Sequence, residues 1–161
     1  MKKILYSLVG LVVVCAAILG GYKFYKGSNL GARLNPAERT VMSEVVTSTV
    51  GNTMNVADFA FISWTVATDA ASGTLKFACS MSDTAPVFSA SQSVTNRWDY
   101  VDVIDYEDDA SIDGDTGLTL ANTSDVRQFV MDNVNFRWCT TNLSSWTAGT
   151  TTVKLLGTTN F

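Results

Sequence analysis

The stretch VADFAFISWTVATDAASGTLKFACSMS (residues 56–82) decides the fold that we predict for this chain. Within residues 59–66 one of the two alternating faces is apolar throughout, and within residues 74–81 the large apolar side chains occupy every second position. A period of two is typical of a half-buried β-strand. Because DAASG (residues 69–73) has the composition of a turn, the pattern predicts two β-strands folded against each other.

Similar alternation continues to the end of the chain. We predict further strands at residues 97–106, 118–121, 126–131, 134–140 and 151–156. About seven or eight short strands at regular spacing favour an antiparallel arrangement over a βαβ fold. The predicted fold is therefore mainly β, an antiparallel β-sandwich of jelly-roll or Ig-like type, preceded by one N-terminal hydrophobic α-helix.

That helix is predicted from MKKILYSLVGLVVVCAAILGGYKFYKG (residues 1–27), in which residues 4–22 carry no charge. Nineteen helical residues extend about 28 Å, close to the thickness of a bilayer's hydrocarbon core. The lysines and aromatic residues that follow resemble an interfacial belt. We expect a transmembrane anchor in residues 1–27. A cleaved secretory leader and a lipoprotein signal ending at Cys15 are the alternatives.

Residues 36–55 carry conflicting signals. Asn35 followed by Pro36 suits a helix start, whereas many of the next residues are β-branched and favour a strand. We predict a short helical or irregular entry and then a first strand near residues 44–50. The predicted organisation is an anchor over residues 1–27, a connector over 28–43 and a β-sandwich domain over 44–161.

The charge distribution makes nucleic acid an unsuitable partner. The chain has eleven basic and fifteen acidic residues, and four of the basic ones flank the apolar segment. The remaining domain is acidic, while nucleic-acid binding depends on neutralising phosphates. The sequence also has no histidine, the residue that most often serves as general base. We therefore expect a non-enzymatic protein that does not bind nucleic acid directly.

Eight of the fifteen acidic residues lie between residues 99 and 115. Asp109, Asp113 and Asp115 resemble the first half of a calcium-binding loop, although Leu120 occupies the position where such a loop needs a bidentate Glu. We take these three aspartates as candidate calcium ligands in an irregular β-loop. The alternative is a solvated acidic turn, and we expect no cofactor apart from this calcium.

Paired carboxylates can also catalyse glycoside hydrolysis. In this sequence the candidates are Asp102, Asp105 and Glu107. Such an enzyme needs a deep cleft lined by sugar-stacking aromatics, whereas the nearby aromatic residues alternate as a strand core requires. A hydrolase is the weakest of the functional classes that we consider.

Cysteines and tryptophans supply the remaining candidates. Cys79 and Cys139 each lie in a predicted strand, and a disulfide between them is expected if the domain is exported. If it is not exported, they are small buried residues. Three of the four tryptophans alternate within strands and are expected in the core: Trp64, Trp98 and Trp138. Trp146 lies in a polar predicted loop and is the candidate ligand contact.

Several of these motifs together resemble small β-sandwich structural proteins of bacteriophage virions. The resemblance covers about residues 45–157, and the motifs that carry it are GTLKFACS (73–80), SD (82–83), NRW (96–98), YV (100–101), VNFRW (134–138), SSWTAG (144–149) and TVKL (152–155). It implies a role in assembly and no active-site residues. Such proteins usually lack a membrane segment, so an anchor here implies a virion with a membrane or a cell surface.

The predicted anchor, fold and candidate residues lead to three hypotheses for the function. The first is a membrane-anchored virion protein, held in a bilayer through residues 4–22, that assembles with copies of itself or with other capsid or envelope proteins. The second is a cell-surface or secreted module that recognises glycans through Trp146 and the acidic loop. The third is a filament subunit with the N-terminal helix in the fibre core. The expected location is a virion membrane or a bacterial cell envelope, with the β-domain outside the bilayer.

Overall fold

The computed structural model describes residues 37–132 and 135–158. These residues contain nine β-strands that belong to one antiparallel sheet. The strands are β1 (Ala37–Val45), β2 (Thr49–Val50), β3 (Met54–Asn55), β4 (Phe61–Ser80), β5 (Asp99–Tyr100), β6 (Val103–Asp105), β7 (Ser111–Ile112), β8 (Leu118–Asp132) and β9 (Trp138–Thr158). The predicted mainly β, antiparallel fold is confirmed.

Three long strands form the centre of this sheet. Its order is β1-β9-β4-β8-β6-β7, while β2 and β3 pair with β9 and β5 pairs with β4. Strand β4 therefore lies between β9 and β8, and Trp64 faces Leu155 on one side and Phe129 on the other. The hydrogen bonds run through a single sheet, rather than through the two separate sheets that a sandwich was expected to have.

Each long strand runs through a segment that we did not predict to be a strand. Residues 69–73 lie inside β4, residues 122–125 inside β8 and residues 142–150 inside β9. The prediction of a hairpin at residues 69–73 was wrong. The chain does not reverse there because β4 remains paired with β8 and β9 on both sides of the segment. Turn-forming residues also suit a β-bulge, which needs the same unusual backbone angles.

The interruptions in the three strands lie side by side across the sheet. The register shifts at Ala71, which pairs with Thr123, and at Ser72, which pairs with Ala148. Backbone φ angles are positive at Ala70 (49°), Asn122 (59°), Ser145 (53°) and Gly149 (74°). We call these four residues the bulge band. Bulges bend a strand and increase its local twist, so aligned bulges bend the whole sheet.

The bend brings the two halves of β4 face to face. Trp64 and Phe77 are thirteen residues apart in this strand, a separation of about 43 Å in a straight strand. Their ring centroids are nevertheless only 5.4 Å apart, and Phe77 lies equally close to Phe129 in β8. The inner faces on either side of the bulge band therefore pack against each other and form one hydrophobic core.

The side-chain alternation changes phase at the bulge band. Before it, β4 buries even-numbered residues such as Ile62 and Trp64, and after it β4 buries odd-numbered residues such as Leu75 and Phe77. A bulge inserts an extra residue and so exchanges the two faces of a strand. This phase change keeps the apolar side chains of both halves on the inner face.

The first strand also differs from the prediction. We expected a helical or irregular entry, and a connector as far as residue 43, but β1 begins at Ala37 and pairs with β9 from Gly157 to Thr151. Val41 and Met42 are buried in the core, and the register shift between Thr40 and Met42 lets two consecutive side chains do so. Tertiary pairing thus overrides the local helix-start signal.

Two other strands begin or end at residues that differ from the prediction. The strand expected at residues 97–106 is divided into β5 and β6, and the one expected from residue 134 begins at Trp138. The segment predicted as a transmembrane anchor, residues 4–22, lies outside the described residues. Within the described ranges there is no helix long and apolar enough to cross a membrane.

Replacement of Gly149 tests the bulge band. A Cβ at this position would overlap the backbone carbonyl of Ala70, and its φ of 74° is unfavourable for other residues. We expect Gly149→Ala to lower the free energy of unfolding by more than about 1 kcal/mol in urea denaturation. Thr147→Ala, an exposed change in the same strand, should stay within about 0.5 kcal/mol of the parent. Equal effects of the two changes would contradict the bulge assignment.

Candidate functional site

An apolar row crosses the outer face of the sheet on the side of the bulge band that contains Trp64. Ser63 in β4 pairs with Leu156 in β9 and with Val130 in β8, and Val130 in turn pairs with Ile104 in β6. Phe61 precedes Ser63 by two residues and so lies on the same face. We call Phe61, Ile104, Val130 and Leu156 the outer apolar patch.

The outer apolar patch is concave and accessible. Its residues line a groove of about 370 Å³, and the small Ser63 side chain lies in the middle of the row. The side chains of Phe61 and Ile104 are 52% and 47% exposed. Tyr106 and Val126 are also exposed, but the exposed polar side chain of Gln128 separates Val126 from Val130 on this face of β8. Exposed apolar surface of this kind marks a site of protein or membrane interaction.

We did not predict this patch from the sequence because we placed Trp98 in the core. Alternation puts Ile104 and Tyr106 on the same face of residues 97–106 as Trp98, so both were expected on the buried face. In the structure, Val103 and Asp105 are buried instead, and Ile104 and Tyr106 point outward. Charged residues usually lie at the surface. The face that contains Asp105 was therefore expected to be exposed, and the opposite face to be buried.

Burial of Asp105 depends on Arg127. The Asp105 carboxylate is fully buried and forms an ion pair with the Arg127 guanidinium from β8. The same guanidinium lies 3.6 Å from Asp108 and 3.9 Å from Glu107, and its carbon lies 5.7 Å from the centre of the Phe129 ring. A single arginine thus supplies the counterion for the buried Asp105 charge and fixes this end of the acidic segment to the sheet.

The candidate calcium ligands do not assemble into a site. The part of the chain that the structure describes contains no group of three His, Cys, Asp or Glu side chains placed to hold a metal ion, so Asp109, Asp113 and Asp115 are not brought together for that purpose. The Lys76 ammonium instead donates a hydrogen bond to the backbone carbonyl of Asp115. The geometry supports the alternative, an acidic turn.

Asp113 stabilises the turn that it begins. The backbone N–H of Thr116 donates a hydrogen bond of 2.8 Å to the Asp113 carboxylate. This bond, followed by one from the Thr116 hydroxyl, holds the pKa of Asp113 below its ordinary value. The contribution to folding stability is therefore present above the unfolded-state pKa and is lost as the pH falls through the lowered folded-state pKa.

The three candidate hydrolase carboxylates have separate structural partners. Asp102 accepts a hydrogen bond of 2.8 Å from the backbone N–H of Gly114. Asp105 pairs with Arg127 and also accepts a hydrogen bond from the backbone N–H of Glu107. The Glu107 side chain is 76% exposed. These contacts account for the positions of Asp102 and Asp105 without a substrate.

Cys79 and Cys139 lie opposite each other in the structure. They are register partners in β4 and β9, their Cα atoms are 4.1 Å apart, and their sulfur atoms form a disulfide. Both residues are buried in the core. The bond links two neighbouring strands on the far side of the bulge band and closes a segment of 60 residues.

The tryptophans differ in burial. Trp64 is fully buried, as predicted for the core. Trp98 and Trp138 are only half-buried, so the prediction of core positions for both was inaccurate. Trp146 is half-buried, packs against the core, and donates a hydrogen bond of 3.2 Å from Nε1 to the carbonyl of Gly149. Its role as a ligand contact remains a prediction, and its contacts hold the strand next to the bulge band.

The antiparallel β fold of this chain is similar to the folds of two solved prophage-derived proteins. One similar solved structure is the crystal structure of the SPBc2 prophage-derived protein YomS, with a TM-score of 0.55, 13% identity and coverage of 76% of this chain and 92% of that chain. Another is the PBSX exported protein XepA, with a TM-score of 0.58, 14% identity and coverage of 76% of this chain and 37% of that chain.

These likenesses concern the fold alone, because the identities are low. The predicted resemblance to phage proteins is confirmed at this level, for two prophage proteins. No model of a known protein family matches the chain, and no curated protein matches it.

Replacement of Arg127 tests its role as the partner of buried Asp105. We expect Arg127→Gln to lower the free energy of unfolding by about 2–3 kcal/mol, because the Asp105 charge would lose its counterion. Arg137→Gln is the matched control, since Arg137 pairs with Asp83 at 3.1 Å on the exposed surface and should cost less than about 1 kcal/mol. Urea denaturation measures both. A smaller loss for Arg127→Gln than for Arg137→Gln would refute this role.

Removal of the disulfide gives a second stability prediction. The double change Cys79→Ala and Cys139→Ala should lower the free energy of unfolding by about 2–4 kcal/mol, because the unfolded chain is no longer constrained by the cross-link. A reductant should destabilise the parent protein and leave the double variant unchanged in thermal unfolding. Equal sensitivity of the two proteins to the reductant would show that the bond is not formed.

Proposed function

We propose that this chain is a non-enzymatic structural protein of a phage or prophage particle. Residues 4–22 anchor it in a bilayer, and the β-domain lies outside that bilayer and assembles with further copies of the chain. The outer apolar patch is the observation that carries this proposal. The likeness in fold to two prophage proteins supports it.

The outer apolar patch suits association between copies. It presents aliphatic and aromatic side chains across four adjacent strands of a rigid sheet, so little conformational entropy is lost when a partner covers it. Burial of such surface contributes favourably at roughly 25 cal/mol per Å² before the costs of association. Interface centres are typically depleted in charge. The four residues that define the patch are apolar, and the charged residue that lines the same groove, Asp132, lies beside Phe61 at the end of β8.

Two further features support an exported location. Disulfides persist in oxidising compartments and are rare in the cytosol, and Cys79 and Cys139 form one in the core. One of the structural neighbours is described as an exported protein of the PBSX element. A virion or cell-envelope location, with the acidic β-domain away from nucleic acid, agrees with both features and with the net charge of −4.

The test of assembly is a charge placed in the outer apolar patch of the full chain. We expect Ile104→Asp to weaken self-association by tenfold or more, because the new carboxylate would be desolvated at the interface. Val46→Asp is the matched control, since Val46 is β-branched and similarly exposed, at 55%, and does not line the patch. The measurement is the oligomeric mass by light scattering across a concentration series in detergent.

The full-length protein also tests whether residues 4–22 anchor the chain in a membrane. We expect the full chain to sediment with bacterial membranes, to resist extraction at alkaline pH, and to have an intact mass of 17.4 kDa. A shortened protein in the soluble fraction would exclude the anchor. A monomer at every concentration, or equal association of both aspartate variants, would exclude assembly through the patch.

A further inference from the structure

A second groove lies apart from the outer apolar patch and shares none of its lining residues. The groove is open, has a volume of about 580 Å³ and lies between the loop at residues 88–91, the aromatic side chains of Trp98 and Tyr100, and the part of β9 at residues 142–145. This volume is within the range of small-molecule sites. We call it the aromatic groove.

The aromatic wall of this groove is held in position. Phe88 is buried, and its ring centroid lies 5.7 Å from that of Trp98. The Trp98 ring meets the Tyr100 ring edge-on at 5.3 Å, and Trp98 Nε1 donates a hydrogen bond of 3.2 Å to the carbonyl of Ala90. Trp98 and Tyr100 remain half-buried. These contacts orient both rings before any ligand arrives.

Hydrogen bonds also order the loop beside Trp98. The Asn96 side-chain oxygen accepts a hydrogen bond of 2.8 Å from the backbone N–H of Val87, and its amide nitrogen donates to the carbonyls of Val87 and Ser91. At the opposite wall, the Asn142 amide donates a hydrogen bond of 2.9 Å to the Tyr100 hydroxyl. A pre-organised wall reduces the entropy lost on binding.

The chemistry of the lining selects the class of ligand. All residues that line the groove are uncharged, and they include five serines, one threonine and Asn142. Anionic ligands favour cationic or helix N-terminal sites, so an uncharged lining fits a neutral ligand. Hydroxyl and amide groups both donate and accept hydrogen bonds, and aromatic rings bury apolar faces. A sugar ring presents both kinds of surface.

We propose that the aromatic groove binds a neutral saccharide. The Trp98 ring contacts the apolar C–H face of a sugar unit, while the Asn142 amide and the Ser145 hydroxyl form hydrogen bonds with sugar hydroxyls. The open shape admits a chain longer than one unit. This site differs from the glycan contact predicted at Trp146, whose indole N–H donates to Gly149 and whose ring packs against the core.

Calorimetric titration of the full chain with three neutral hexasaccharides tests the proposal. The probes are cellohexaose, maltohexaose and chitohexaose, and the detergent must have a head group without sugar. We expect saturable binding of at least one probe, weakened by about tenfold or more in Trp98→Ala because the stacking surface is lost. Trp98→Phe should retain part of the affinity, which separates loss of stacking from loss of folding.

Variants in the outer apolar patch and in the aromatic groove test saccharide binding and self-association independently. Ile104→Asp should bind the same saccharide with unchanged affinity, and Trp98→Phe should self-associate like the parent. Asn142→Ala provides a second test, with an expected loss of affinity and an unchanged circular dichroism spectrum. Absence of saturable binding to all three probes at millimolar concentration would overturn the proposal. So would equal affinity of Trp98→Ala and the parent.

Discussion

The bend at the bulge band is the constraint on which the rest of this structure depends. Strands β4, β8 and β9 cross it together, and positive φ angles at Ala70, Asn122, Ser145 and Gly149 allow all three to turn there without losing their pairing. Without this bend, Trp64 and Phe77 would lie far apart on an open sheet. With it, their rings are in contact and the two halves of the sheet bury one core.

The bend also determines which surfaces remain exposed. Because the inner faces pack against each other, the outer face of each half is left to solvent or to partners. The half that contains Trp64 presents the outer apolar patch, and the half that contains Cys79 lies beside the aromatic groove. Two surfaces of different chemistry are therefore available for the two partners that we propose, a second copy of the chain and a neutral saccharide.

The acidic segment supports this arrangement through its contacts with the sheet. Arg127 draws Asp105 into the interior, and Asp113 accepts the hydrogen bond that begins the following turn. These contacts fix β6 against β8 and leave Ile104 pointing outward. Part of the outer apolar patch thus depends on a buried ion pair that is formed by residues 22 positions apart in the sequence.

Several features could be predicted from the sequence because they depend on local composition. Alternating apolar residues predicted extended structure on both sides of residues 69–73, which the structure joins into the single strand β4. The disulfide between Cys79 and Cys139 was one of two alternatives drawn from their positions in predicted strands. The sequence also indicated that Trp64 would be buried. Which face of residues 97–106 would be buried could not be predicted, since it depends on Arg127 reaching Asp105 from another strand.

By itself, the sequence determined an antiparallel β-rich fold, because period-two alternation is a property of each segment. The tertiary structure alone decided that DAASG at residues 69–73 is a bulge within one strand. The same residue types permit a reversal or a bulge, and the choice depends on whether neighbouring strands pair across the segment. Strands β8 and β9 both do so, and those pairings join residues far apart in the chain.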